Sequence, residues 1–425
     1  MFSSTSTVMP SSIDFDRVLT AQNVPLRIAI IAHSLYPIAE PYAGGLEMIT
    51  QLLCDELVAR GHEVLLYAHA DSQTQATLVP FMTRSDFDDL VYDNEHDSVG
   101  MSREELYQYL VYQQAMHDII SRDARGEIDV IHNHSLHHIP MTMGQAFGAR
   151  CFTTFHTPIF PQLRLALLTL RQGTPTQFTA ISAHQQQLFD EFVPSSVVYN
   201  GIDVQSFKYN LEPIADEIYL WYGRICPEKG THLAMEYCLA AGKRLVIAGP
   251  KSNLEYYEEY VAPLLVADVK NHETKGNAKL FDYVDHLSKQ EVNDYLRQST
   301  AMLFTSTWDE PYGLTLAESL ACGTPVIGFD AGASSEIITS KTGIIVPKMD
   351  KAAFMQAFDR IHDISRAACR QRAEQFCSVA TMVDGYVSLY EQALNQTAIN
   401  HKDKALALPH SQLKQDLGFI SFKLA

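Results

Sequence analysis

The chain contains no lysine before Lys208, and its 32 Lys and Arg against 50 Asp and Glu leave a net charge of −18 over 425 residues. The deficit is uneven. Residues 1–199 hold 10 basic and 22 acidic side chains (−12), and residues 200–425 hold 22 and 28 (−6). Nucleic acid and anionic membrane both want a basic patch, so both are poor partners for such a surface. Nor is there a run approaching the ~18 consecutive apolar residues of a membrane-spanning helix. The seven cysteines are scattered, odd in number and never spaced as CxxC, which argues against a disulfide framework or a zinc knuckle and for a reducing, cytoplasmic compartment. Residues 1–24 lack a basic start and a sustained apolar run, and read as a flexible leader rather than a signal peptide.

What is present is ordinary globular composition, 46% apolar and 19% charged, at a length of two or three domains of about 150 residues each. From Arg27 onward short apolar runs alternate with helical-period segments, the pattern of βα units on a parallel sheet. Strands are expected at 27–33, 63–69, 128–134, 150–156, 177–182 and 196–200, which completes one sheet. The turn-rich stretch 200–216, beginning NGID, reads as a linker. A second series then begins, with strands at 217–223, 243–249, 279–284, 301–306, 325–330 and 343–347. Helices are expected at 351–361, 365–376 and 380–396, followed by a tail over 397–425. The expected fold is α/β: two Rossmann-like domains, 25–199 and 217–379, facing each other across a cleft at the carboxyl ends of both sets of strands.

Several residues at those strand ends can carry chemistry. Gly44 and Gly45 lie between the first strand and the first helix, where bare backbone lets N–H groups approach an anion; a simple tight turn is the alternative. GxGxxG is missing here and from the matching turn of the second half, which disfavours a dehydrogenase. Arg224 and Lys229 follow the first strand of the second half, and two cations there suit a diphosphate, though solvated surface charges would look the same. In WDEPYGLTLAESLACGTPV, Glu310 falls in a loop and Glu318 about one turn into the next helix. Such a pair fits glycosidase acid and base or a grip on sugar hydroxyls, and spacing does not choose between them. His156 ends a strand in TTFHTP on the cleft side. The histidines of HNHSLHH (His132, His134, His137, His138) invite a metal, but no carboxylate or thiolate accompanies them. Asp86, Asp88 and Asp89 imitate a metal-binding DxD and read as a solvated loop.

Taken in order, PYAGGLE, HNH, FHTP, NGID, GRICPEKG and WDEPYGLTLAESLACGTPVIGFDAG resemble the retaining nucleotide-sugar glycosyltransferases of family 4, which have the GT-B fold. The resemblance covers about residues 25–395. It implies that Gly44 and Gly45 contact the donor diphosphate and that Arg224 and Lys229 neutralise it. Glu310 would bind donor-sugar hydroxyls beside the backbone of Pro311, Tyr312, Gly313 and Leu314; Glu318 would hold the ribose, and His156 would lie near the donor sugar. It implies no metal and no cofactor, with UDP as the default nucleotide. Three departures stand out: EPYG in place of EGFG, GASSE in place of GGxxE with Ala333 for a glycine and Glu336 retained, and Asp285 where a glycine is common beside the nucleobase.

The expectation is therefore a retaining, metal-independent hexosyltransferase acting from a UDP-sugar on a hydroxyl of a soluble small or oligosaccharide acceptor. The alternatives are a glycosyltransferase of cell-surface polysaccharide or glycolipid assembly, and a non-catalytic nucleotide-sugar-binding protein. The helix 380–396 is expected to cross back to the first domain, giving a two-stranded hinge near 200–203.

Overall fold

A computed structural model describes residues 24–90, 101–170, 173–212 and 217–407. All but the last residue of the leader expected over 1–24 lies outside the described residues, as do 213–216 of the linker and 408–425 of the tail.

Aliphatic runs without polar interruption become central strands, since only there are both faces buried. β1 (Arg27–Ile31), β2 (Glu63–Ala68), β3 (Thr77–Pro80), β4 (Val130–Asn133), β5 (Cys151–Phe155), β6 (Gln177–Ala180) and β7 (Ser196–Val197) form one sheet in the order β3-β2-β1-β4-β5-β6-β7. β8 (Ile218–Tyr222), β9 (Arg244–Ala248), β10 (Phe281–Tyr283), β11 (Ala301–Phe304), β12 (Val326–Phe329) and β13 (Gly343–Val346) form the other, in the order β10-β9-β8-β11-β12-β13. Neighbours are parallel throughout, with Ile28 opposite Val64 on one side and Val130 on the other. In each sheet the chain builds outward from its first strand and then returns to that strand's other edge, placing β4 beside β1 and β11 beside β8. The outgoing loops diverge there, opening a crevice at the carboxyl ends.

Several local expectations need correction. β3 was not foreseen, because TLVP has an exposed first residue and ends in proline, as an edge strand tolerates. SVVYN yields only the two strand residues Ser196–Val197. Asp86, Asp88 and Asp89 lie in a short helix, Arg84–Leu90, rather than a loop; Asp86 accepts from the Thr83 hydroxyl at 2.7 Å and Asp88 pairs with Arg103 at 2.6 Å.

The last helix runs Val379–Ala407, beyond the expected end at 396. Its buried Met382, Val383, Tyr386 and Tyr390 join Ile28, Ile30, Leu53 and Leu66 in the core of the first sheet. Arg60 clamps it from outside, reaching Asp384 at 2.6 Å and the Ala380 carbonyl at 3.0 Å. The two chain crossings between the sheets lie side by side: the Ile202 N–H donates to the Cys377 carbonyl (2.8 Å), and the Val379 N–H donates to the Ile202 carbonyl (2.9 Å). A Cβ at Gly201 would sit 2.7 Å from the Val379 Cα and closer still to the Ser378 carbonyl, so only glycine permits this approach. All seven cysteines are free and buried. Among the described residues no helix is long and apolar enough to cross a membrane.

Candidate active site

Two helices, one from each half, begin at the crevice with glycine at the cap position. Gly45–Ala59 has Gly44 at its N-cap and Leu314–Ala321 has Gly313, held at φ +92°. Elsewhere Ser102, Ser182, Ser288 and Ser365 satisfy the first-turn N–H groups of their helices. Glycine cannot: at Gly313 the positive end of the helix stays open to an outside acceptor, whereas at Gly44 the Glu47 carboxylate takes the Gly44 and Glu47 N–H groups, and it is Gly45 and Leu46 that line the crevice. Gly45 and Gly313–Thr315 line the same cavity, of about 380 Å³. A Cβ on Gly45 would stand 2.5 Å from Leu314 Cδ1, so the glycine also lets the two helix starts meet.

Lys229 enters this cavity from the turn after β8. The next residue, Gly230, holds φ +65° against the Thr305 carbonyl, a place without room for a side chain. The Lys229 ammonium donates to the carboxylate of Glu310, which also accepts from the Ser306 hydroxyl at 3.1 Å. Glu310 is buried, and its carbonyl accepts from the Ala333 N–H at 2.9 Å, so the GASSE turn fixes its backbone. An ammonium and a carboxylate paired on the cavity wall can separate toward a ligand, the cation to an anionic group and the carboxylate to hydroxyl donors.

His156, just past β5, lines the same cavity. Its Nε2 lies 2.8 Å from His134 Nδ1, which leaves Nδ1 as the atom available to a ligand. Burial pulls its pKa to about 3, so the ring is neutral near pH 7 and a weak base. The other histidines of HNHSLHH are also engaged within the chain. His132 lies between the Tyr390 hydroxyl (2.6 Å) and Thr154 (2.7 Å), His137 accepts from the Ile139 N–H (3.2 Å), and His138 meets the Tyr109 hydroxyl (3.2 Å). Among the described residues, no group of three His, Cys, Asp or Glu side chains could hold a metal ion.

The structure thus gathers Gly45, His156, Lys229, Glu310 and Pro311–Leu314 around one cavity, and leaves Gly44, Arg224 and Glu318 outside its lining. Arg224 is exposed, with Glu228 at 3.6 Å. Glu318 faces the Tyr222 hydroxyl at 2.7 Å, and burial raises its pKa against that hydrogen bond. The Tyr312 side chain is buried in the core of the second half, so its contribution to the cavity is main chain. Asp285 holds φ +62°, a conformation that favours glycine, with its carboxylate 3.1 Å from the Tyr283 hydroxyl.

Sequence reasoning missed the work of Glu336. Its carboxylate accepts from the N–H groups of Ala183 and His184 at the start of the helix Ala183–Phe189, and from the Tyr199 hydroxyl, each at 2.8 Å. GASSE was the only visible signal. The buried Glu47 was missed too; it lies in the first turn of Gly45–Ala59, where burial raises its pKa while its own N–H and that of Gly44 lower it.

Comparison with known proteins agrees with this geometry. The Glycosyltransferase Family 4 model matches residues 43–206, and the Glycosyl transferases group 1 model matches residues 205–376, together taking in every strand but β1. The chain belongs to the family 4 glycosyltransferases and has their GT-B fold. This glycosyltransferase is 26% identical over 411 residues to a D-inositol 3-phosphate glycosyltransferase of Frankia alni, covering 84% of this chain and 96% of the relative. Among solved structures it is similar in fold to a glycosyltransferase of Rickettsia africae (TM-score 0.65, 17% identity, 87% of this chain and 99% of that one). Another is Anabaena Alr3699/HepE in complex with UDP and glucose (TM-score 0.59, 17% identity, 85% and 98%).

Proposed function

We propose that this glycosyltransferase moves a hexose from a UDP-sugar to a hydroxyl of a small or oligosaccharide acceptor, with retention of anomeric configuration and without a metal. The observation that carries the reading is the convergence on one cavity of Lys229 and two helix starts whose cap position is glycine. Negative charge growing on a departing diphosphate is stabilised there by N–H dipoles and an ammonium already in place, which is the electrostatic task a divalent cation would otherwise perform. Arg224 can add to it by swinging in from solvent. Glu310, released from Lys229, takes donor-sugar hydroxyls, and Glu318 takes those of the ribose. UDP is the nucleotide favoured by the likeness to the UDP-bound Anabaena structure.

Retention fits the basicity of the groups present. Inversion would need a base opposite the leaving group. His156 is too weak a base for that, and the Glu310 carboxylate, once released from Lys229, is taken up by the hydroxyls of the donor sugar. The proton of the acceptor hydroxyl then passes to the departing phosphate oxygen on the same face. The free, buried cysteines fit a reducing cytoplasm. The test is UDP release from UDP-sugars with and without acceptor sugars, in excess EDTA, with the anomeric configuration of the product read by proton NMR. Loss of activity in EDTA with rescue by manganese would refute metal independence, and an inverted product would refute retention.

A further inference from the structure

A second cavity, of about 580 Å³, lies in the first half and shares Leu136 and Thr157 with the donor cavity. A molecule filling it can therefore present one hydroxyl at the shared wall, toward His156 and Glu310. Its volume is within the range that encloses a small ligand such as a mono- or disaccharide.

The chemistry of its lining is selective. Tyr109, His137, His138 and Phe160 offer ring faces and edges, the surfaces on which the C–H face of a sugar ring packs. Gln108 and Gln162 add amides, which both donate to and accept from hydroxyls. No lysine or arginine is among the described lining residues. Among the described lining residues the one formally charged is an acid, Glu105, whose carboxylate accepts from the Ser102 N–H and hydroxyl at 2.8 Å each. Of the arginines on the neighbouring helices, Arg84 pairs with Glu104 and Arg103 with Asp88, both at 2.6 Å, and Arg164, on the helix Pro161–Leu170, is exposed and outside the lining. Burial lowers the pKa of His137 to about 3 and also lowers those of His33 and His138, so the imidazoles supply no positive charge near pH 7.

We infer that this cavity selects an uncharged mono- or oligosaccharide acceptor and rejects its phosphorylated counterpart. A phosphate there would lose its hydration, find no cation and lie near a carboxylate. The inference rests on reading the adjoining cavity as the donor site.

The test is steady-state transfer from a UDP-sugar to glucose, methyl glucosides and maltose, set against glucose 6-phosphate and maltose 1-phosphate, with UDP affinity followed separately by calorimetry. The neutral sugars are expected to be transferred to with kcat/KM at least ~10-fold above that of each phosphorylated partner. Tyr109→Ala and Phe160→Ala should each raise the acceptor KM by about tenfold while UDP affinity stays at the wild-type value. Gln108→Arg should narrow the gap by improving the phosphorylated acceptors. Preference for a phosphorylated acceptor, or an unchanged acceptor KM in both alanine variants, overturns the inference even where UDP binds normally. If no nucleotide binds, it is the donor reading that fails. The acceptor cavity is then decided by saturation-transfer NMR with the same sugars, where binding of the neutral ones that is lost in Tyr109→Ala supports it and no binding overturns it.

Discussion

The carboxylate of Glu336, in the second half, accepts a hydrogen bond from the hydroxyl of Tyr199, in the first, at 2.8 Å. The same carboxylate takes the Ala183 and His184 N–H groups, so one side chain caps a helix of the opposite half and anchors the segment leading into the first chain crossing at Ile202. It joins the halves close to where the cavity needs residues from both. Glu336→Ala leaves two N–H groups and a hydroxyl without this partner, a loss of about 2 kcal/mol. The expected outcome is faster amide exchange at 183–184 and a lower melting temperature, with UDP affinity reduced less than turnover. Unchanged exchange there would mean that the contact is incidental.

Lys229 and Glu310 form a pair, and a pair behaves non-additively. Lys229→Ala removes a cation aimed at growing phosphate charge and should lower kcat by about 10²- to 10³-fold. It also strands the buried Glu310 carboxylate. Adding Glu310→Gln to Lys229→Ala should therefore cost less than the product of the two single effects. A double-mutant cycle on kcat and on thermal stability reads the coupling, and strict additivity in both would dismiss the pair as a functional unit. Arg224→Ala tests the exposed cation: a rate near wild type would remove it from the diphosphate site.

Two glycines that look alike in sequence should fail differently. A Cβ at Gly201 meets the backbone of the second crossing, which cannot move without breaking the Ile202 hydrogen bonds. Gly201→Ala should cost about 3 kcal/mol, at the upper end of overpacking. At Gly45 the obstacle is the end of the Leu314 side chain, which can rotate away. Gly45→Ala should fold with a near-normal melting temperature yet lose donor affinity, because the added methyl group and the displaced Leu314 side chain take up room in the cavity that both residues line. The reverse ranking in calorimetry and UDP titration would undo this account.

The contrast also shows what was legible in the chain. Parallel sheets were legible because their central strands are uninterrupted aliphatic runs, as in RIAII and AMLF. The edges were not: TLVP carries half-buried residues and a proline that weaken any strand signal, and HIPMTM hides a helical turn behind its proline. Of the site, Lys229, Glu310 and His156 could be read from residue type and position at strand ends. The helix starts with glycine at the cap were only half legible, because a glycine pair marks a turn without saying what fills it. Glu336 was beyond reach, since two of its partners are backbone N–H groups some 150 residues earlier, which no side-chain pattern announces.

Acid should destabilise this protein earlier than its carboxylates alone would require. His156 and His137 are held neutral by burial, each with its pKa brought from an ordinary 6.5 to about 3, and burial pulls His132 and His134 well down too. The sign follows from proton counting: below pH 6.5 the unfolded chain takes up protons that the folded chain refuses, so the unfolded state gains. The stabilisation is complete above about pH 6.5 and is withdrawn progressively as pH falls toward 3. At pH 5 each group shifted to about 3 has lost up to about 2 kcal/mol, a large share of an ordinary folding free energy. Melting temperature should therefore be flat from pH 8 to 6.5 and fall steeply by pH 5, and the slope should lessen in His137→Gln, which removes one such group from a half-buried position. A melting temperature unchanged down to pH 5 would show that these imidazoles protonate in the folded state, and the weak basicity invoked for His156 in the retaining reaction would fall with it.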